Sequence, residues 1–223
     1  MLIGPKKIQA ILDLVEQIIP GWTGFTDPKF EEEEVTYKRI ASKKAQELLS
    51  KAELDRLLYE QDFDEIIKRI RQVASSTNLL FLGIPSSGDL GIINHPNLDK
   101  DTFCHAVSAL LNSPTPSHVR LEKFTAYVNA FKLPNRWTFP TYLLFLCHPE
   151  TDLFIKPAAT EFFLQQIGLA HLWNPTPNGK TYEDLLAIAQ ELKAEMQEFG
   201  PRDMIDIQGV IWLVRRTIDE SPN

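Results

Sequence analysis

The chain has 223 residues, of which 43% are hydrophobic and 24% are charged, and its formal net charge is −7. This composition is ordinary for a soluble globular protein, and the length is sufficient to bury a sizeable core. The acidic balance argues against a protein that coats nucleic acid by bulk electrostatics, because such proteins carry a basic excess. The net charge does not exclude a local basic face that binds nucleic acid.

The chain also lacks the sequence signals of membrane and secreted proteins. No window of about 18 apolar residues indicates a membrane span. Asp13, Glu16 and Gln17 interrupt the N-terminal segment where a signal peptide would need an apolar core. Two cysteines, Cys104 and Cys147, are too few for a disulfide framework or a four-cysteine zinc site. We therefore expect a cytoplasmic protein with no membrane partner.

Helical periodicity dominates the first third of the chain. Apolar residues recur at three- and four-residue steps from 6 to 19 and predict an amphipathic helix. Asp27 before a proline predicts the start of a second helix, with the glutamates of residues 31–34 in its first turn. Carboxylates are favoured at that end of a helix, so we interpret the glutamate run as structural. Capping-box spacings at Ser50 and Asp62 predict helix starts near residues 51 and 63.

The rest of the chain continues the helical pattern. Further helices are predicted at 100–112, 118–132, 138–147, 157–167, 182–199 and 203–216. Thr181 is the expected cap of the helix over 182–199. The segment 138–147 is apolar all round, which is typical of a fully buried helix. The sequence therefore predicts an all-α fold of nine or ten helices around this central helix, in a single domain spanning residues 1–223.

Two segments depart from the helical pattern, at 83–98 and 171–180. The first, GIPSSGDLGIINHPNL, is long for a loop in a compact domain, and such loops are often functional. Its SSGDLG stretch does not match a phosphate-binding loop. Ser86 or Ser87 as a nucleophile would need His95 beside it, and no elbow motif is present. We interpret the segment as a turn region.

The histidines and cysteines give no metal-binding pattern. In Cys104-His105 and Cys147-His148 the two side chains point about 100° apart on a helix and cannot share one metal. Asp203 and Asp206 are three residues apart but lack a third ligand in register. We therefore expect neither a metal nor a cofactor.

A single lysine stands at the exit of the predicted central helix. Lys156 directly precedes Pro157, where the start of the next helix already carries positive partial charge. This placement predicts an anionic partner. One interpretation is an internal ion pair with Asp152, Glu150 or the Asp203/Asp206 pair. The other is a ligand phosphate or carboxylate, held by Lys156 together with the free N–H groups of the following helix.

Candidate site residues come from the two densest stretches, 133–157 and 200–212. Asp203 is placed to cap the last helix, and Gln208 lies among apolar residues, where a buried amide needs partners. The anion- or ligand-binding candidates are Lys156, Arg202, Gln208 and Trp137. If the protein is an enzyme, the catalytic candidates are His148, Lys156, Asp203 and Asp206.

Two blocks, WTFPTYLLFLCHPETDLFIKP and GPRDMIDIQGVIW, resemble a widespread bacterial family of uncharacterised proteins. The resemblance covers about residues 22–212. It implies a single domain in which the stretches around Lys156 and 202–208 belong together, and it implies no activity. A remoter similarity is to helical regions beside the ATPase modules of restriction-like defence systems, although this chain has no ATPase motif of its own.

Three functional hypotheses follow from the sequence. The leading one is a non-enzymatic binding or adaptor module that meets a protein or nucleic acid on the face carrying 83–98 and Lys156. The second is a hydrolase- or nuclease-like enzyme acting on a phosphate-containing substrate with Lys156 and the stretch 202–206. The third is a structural homodimer. An enzyme requires the candidate groups to converge on an open pocket.

Overall fold

The computed structural model describes residues 3–82 and 87–219, the last two of them by their backbone alone. Most of these residues lie in helices. In chain order they are α1 (Pro5–Ile18), α2 (Pro28–Phe30), α3 (Thr36–Leu48), α4 (Lys51–Tyr59), α5 (Phe63–Ala74), α6 (Lys100–Asn112), α7 (Ser117–Ala130), α8 (Thr138–Cys147), α9 (Pro157–Gln166), α10 (Gly179–Glu195) and α11 (Met204–Asp219). A π-helical turn, Glu31–Val35, joins α2 to α3. These described residues contain no β-strand, so the predicted all-α fold is confirmed.

Side-chain caps account for several helix starts. Asp27, Ser50 and Asp62 each accept hydrogen bonds from backbone N–H groups in the first turn of α2, α4 and α5, as predicted. The cap predicted for α10 is wrong. Asn178 Oδ1 accepts from the Thr181 N–H at 2.8 Å, so α10 begins three residues before the predicted start. Asn178 follows a proline-rich turn, and its short side-chain amide satisfies a free N–H group in the first turn of α10.

The central helix α8 is buried along almost its whole length. All residues from 138 to 146 are buried, and only Cys147 at its end is partly exposed. The helix packs against α3, α6 and α7. An all-round apolar surface can be satisfied only in this way, so the predicted burial of the helix is confirmed.

A second helix, α11, is almost as deeply buried, although the sequence did not predict it as central. All residues from 203 to 211 are buried. The helix packs against α1, α9, α10 and the π-turn. Its inward side includes Asp206 and Gln208, so α11 brings a carboxylate and an amide into the interior, whereas α8 brings the hydroxyl groups of Thr138 and Thr141.

The described part of the 83–98 segment is packed against the fold. Leu90, Ile92 and Ile93 are buried, and the Asp89 carboxylate accepts hydrogen bonds from the Phe81 N–H and from Thr138 Oγ1, both at 2.7 Å. Ser86, considered above as a nucleophile, lies outside the described residues. Within the described ranges, none of the helices is both long enough and apolar enough to cross a bilayer.

The close approach of α11 to the π-turn depends on Gly209. A Cβ built at this position would lie 2.8 Å from Phe30 Cζ and 3.3 Å from Glu34 Cβ. Phe30 is fully buried, and its ring contacts those of Phe25 and Trp22, so it has little room to move. A glycine inside a helix costs about 1 kcal/mol relative to alanine, which the close packing must offset.

We predict that Gly209→Ala lowers the free energy of unfolding by roughly 1–3 kcal/mol, because overpacking outweighs the gain in helix propensity. Urea denaturation measures the change. Gly4→Ala is the matched control, since a Cβ at Gly4 has no neighbour within 4 Å. A Gly209→Ala protein more stable than the wild type would show that the contact between α11 and the π-turn is loose.

Candidate functional site

Two glutamates of the π-turn form ion pairs with arginines from distant parts of the chain. Glu33 accepts a hydrogen bond from Arg216 Nη1 at 2.6 Å, and Glu31 forms an ion pair with Arg202. Glu34 is turned inward and is almost fully buried. A π-turn inserts one extra residue into a helix, and such insertions are frequent at functional sites. The glutamate run thus forms ion pairs that join the π-turn to α11 and to the turn before it.

Glu34 forms a buried ion pair with Lys38. Lys38 Nζ lies 3.1 Å from Glu34 Oε2, and the Lys38 side chain is fully buried. Burial lowers the pKa of Lys38 and raises that of Glu34, while their mutual attraction opposes both shifts. Each group therefore needs the other, because an unpaired charge at this depth is strongly destabilising.

Lys156 lies close to this pair but differs from Lys38 in its environment. Its backbone is extended and caps α9, with its carbonyl accepting the Thr160 N–H at 2.9 Å. Its Nζ lies 4.5 Å from the centroid of the Trp212 ring. A cation at this distance is attracted by the face of the indole. Lys156 forms no ion pair with any of the described residues.

The internal ion pair predicted for Lys156 is therefore wrong for each proposed partner. Asp152 is fully buried and accepts a hydrogen bond from Tyr182 Oη at 3.1 Å. Asp203 and Asp206 are bound by arginines, and Glu150 is exposed. Lys156 is therefore influenced only by carboxylates that form no ion pair with it, and their attraction is weaker than that of a direct partner. Burial lowers the pKa of Lys156, and the carboxylates of Asp89 and Glu34 oppose this effect without cancelling it.

Lys156 and Trp212 line an open pocket of about 580 Å³, which we call the Lys156 pocket. Its lining residues are Glu33, Glu34, Tyr37, Ser75, Ser76, Thr77, Asn78, Leu79, Lys156 and Trp212. They come from the π-turn, the start of α3, the turn after α5, the extended residue before α9 and the middle of α11. No lining residue belongs to α9. The free N–H groups at the start of α9, which we expected to hold an anion together with Lys156, therefore do not contribute to this pocket.

The two arginines nearby have structural roles. Arg39 Nη1 donates to Asp203 Oδ2 at 2.6 Å, and Arg39 Nη2 donates to Asp206 Oδ1 at 3.2 Å. Arg202 holds the same Asp206 carboxylate from the other side, with Nε 2.9 Å from Oδ2. Asp203 also caps α11 through the Ile205 N–H at 3.0 Å, as predicted. This arginine–aspartate cluster joins α3 to α11, and none of its members lines the Lys156 pocket.

The remaining candidates are held by the scaffold. Trp137 is buried, and its Nε1 donates to the Asn174 carbonyl at 3.0 Å. His148 ends α8, with Nε2 2.8 Å from the Leu111 carbonyl. Gln208 is buried, and its Oε1 has no hydrogen-bond partner among the described residues. Of all the predicted site residues, only Lys156 lines the pocket.

Most residues of the pocket were not predicted from the sequence. Trp212, Tyr37 and the turn 75–79 were not among the predicted site residues, and the glutamates of residues 31–34 were interpreted as structural. A π-turn has no sequence signature that distinguishes it from a regular helical turn, so the inward direction of Glu34 could not be predicted. One available signal was the four-residue spacing of Glu34 and Lys38, which places opposite charges on one helix face.

Within residues 3–82 and 87–219, no group of three or more histidine, cysteine or acidic side chains is placed to hold a metal ion. Comparison of the chain with protein-family models, with curated proteins and with solved structures gives no match. The assignment of a function therefore depends on the geometry of the Lys156 pocket and its surroundings.

We predict that Lys38→Met lowers the free energy of unfolding by roughly 3 kcal/mol, because Glu34 is left buried without its closest partner. The double variant Glu34→Leu with Lys38→Met is expected to regain most of this loss, since neither charge of the buried pair remains. Urea denaturation of both proteins measures the difference. A double variant less stable than Lys38→Met would contradict this account of the pair.

Proposed function

We propose that the protein is a non-enzymatic binding module that holds an anionic group of a partner protein in the Lys156 pocket. The observation that carries the proposal is the contrast between Lys156 and its neighbours. Lys38, Arg39 and Arg202 each contact a carboxylate. The half-buried Lys156 ammonium lies over the indole of Trp212 at an open pocket and pairs with no carboxylate of the described residues.

The half-buried position of Lys156 has a desolvation cost. An ammonium that is partly withdrawn from water loses hydration, and an anion placed at hydrogen-bond distance restores favourable interaction. The pocket is open, so a group from outside can reach Lys156. The attraction of the Trp212 ring keeps the ammonium in position before binding, which reduces the ordering cost of the bound state.

The surrounding charges support a protein partner over a nucleic acid. Glu33 and Glu34 also line the pocket, and the whole chain carries a formal charge of −7. A phosphate backbone presents closely spaced negative charges and would be repelled by both glutamates. A single carboxylate carries one negative charge, so the glutamates repel it less than they repel a row of phosphates.

The enzyme hypothesis has less support. Catalysis by Lys156 with His148, Asp203 and Asp206 would require these groups to converge on one pocket. Three of the four are engaged in scaffold contacts away from it: His148 with the Leu111 carbonyl, and the two aspartates with arginines. A homodimer remains a further hypothesis that the pocket geometry does not favour.

Binding of a small anion tests the proposal directly. We expect sodium acetate, titrated at constant ionic strength, to shift the NMR signals of the Trp212 indole N–H and of the backbone amides of 75–78. In Lys156→Met these shifts are expected to disappear, because methionine retains the apolar part of the side chain and removes the charge. Lys43→Met, at an exposed lysine of α3, is the matched control and should behave as the wild type.

Two results would overturn the proposal. One is the absence of saturable shifts at the pocket in the wild type. The other is the same response in Lys156→Met as in the wild type, with both proteins equally folded by circular dichroism.

Binding of the anion should also depend on pH with a defined sign. Burial lowers the pKa of Lys156, and only the protonated form attracts an anion. The affinity is therefore highest below this pKa and falls as the pH rises through it, before an ordinary lysine would lose its proton. Lys156→Arg should bind without this decline, since arginine stays charged. Acetate titrations across the alkaline range measure both profiles, and an identical decline in Lys156→Arg would assign the effect to another group.

A further inference from the structure

A second depression adjoins the Lys156 pocket. Its surface is mainly apolar, whereas that of the Lys156 pocket is mainly polar. This Leu82 groove has a volume of about 500 Å³ and is lined by Lys68, Arg71, Gln72, Ser75, Leu82, Gly88, Leu90 and Asn94. Ser75, which follows the end of α5, lines both the groove and the Lys156 pocket. A ligand that lies across Ser75 would therefore contact both depressions.

Apolar side chains are open to solvent at this face. The side chain of Leu82 in the groove is 40% exposed, and that of the preceding Phe81 is 60% exposed. Most large apolar side chains in the described ranges are buried, so two adjacent exposed ones are unusual for this chain. Exposed apolar groups beside a concave surface are typical of an interaction site.

Two cations at the same face, Arg71 and Lys156, are not paired with a carboxylate of the described residues. Arg71 Nη2 donates to Asn94 Oδ1 at 2.8 Å, and within the described ranges this arginine contacts no carboxylate. Lys156 has the same property in the adjoining pocket. Lys68 lies on the groove wall and pairs with Glu65, at 2.7 Å. The face thus presents one unmatched cation in each depression, on a chain whose overall charge is negative.

We infer that this face binds an acidic peptide segment of a partner protein, with an apolar side chain in the Leu82 groove and carboxylates at Arg71 and Lys156. The inference rests on the proposed function of the Lys156 pocket and names the partner that it serves. Charge complementarity selects the acidic side chains, and the exposed Leu82 and Phe81 select the apolar one. A carboxylate suits the pocket better than a phosphate, because Glu33 and Glu34 would repel a second negative charge.

A synthetic probe tests this assignment. We would measure the affinity of acetyl-Asp-Leu-Leu-Asp-amide by NMR titration, alongside versions with asparagine for both aspartates, glycine for both leucines, or phosphoserine for both aspartates. The aspartate–leucine probe is expected to bind about tenfold more tightly than the asparagine and the glycine versions. The phosphoserine version is expected to bind more weakly than the aspartate probe.

Variants separate this inference from the proposed function. Leu82→Ser and Arg71→Gln should each weaken the aspartate–leucine probe several-fold while leaving acetate binding at Lys156 unchanged. Arg56→Gln, an exposed arginine of α4 that lines neither depression, is the matched control. Lys156→Met should weaken both the probe and acetate.

The possible outcomes lead to different conclusions. If acetate binds at Lys156 but Leu82→Ser and Arg71→Gln bind the probe as the wild type does, the inference is overturned and the proposed function stands. If the wild type binds no acetate, the proposed function is overturned, and the inference that rests on it is overturned too. A phosphoserine version that binds best, or displacement of the probe by single-stranded DNA, would overturn the assignment to an acidic peptide.

Discussion

A cation that is withdrawn from water needs a counter-charge, and this constraint organises the interior around α11. Lys38 is fully buried beside Glu34, and Arg39 and Arg202 enclose the carboxylate of Asp206 from two sides. These pairs join the π-turn, α3 and α11 into one unit. Lys156 is next to this unit and has no such partner among the described residues, which distinguishes it from the cations that stabilise the scaffold.

The scaffold explains why the pocket is formed at this position. Gly209 allows α11 to approach Phe30 and Glu34, which fixes Glu34 against Lys38. Trp212, less than one turn further along α11, then faces the space between the π-turn and the turn after α5. Close packing of α11 against the π-turn therefore forms one part of the pocket, and the residues of the turn 75–79, most of them polar, form another. This arrangement suits binding, because a rigid wall holds Lys156 and Trp212 in place before a ligand arrives.

Much of the fold could be predicted from the sequence because its signals are local. Caps such as Asp27, Ser50 and Asp62 act within one helical turn, and the all-round apolar pattern of 138–147 has a single physical solution. The candidate site could not be predicted in the same way. Arg39 reaches Asp203 across 164 positions of the chain, so the sequence around Lys156 gave no sign that its expected partners were already bound. The inward direction of Glu34 could not be predicted either, because the π-turn changes the direction of this side chain without changing the helical pattern of the sequence.

The direct test of this account is the pKa of the Lys156 ammonium, measured by NMR with selectively labelled lysine in the protein without added anion. The account predicts a pKa below the ordinary lysine value, because burial is only partly offset by Asp89 and Glu34, and a rise when acetate is added. A pKa at or above the ordinary value in the free protein would contradict it, since this would mean that Lys156 already has a carboxylate partner.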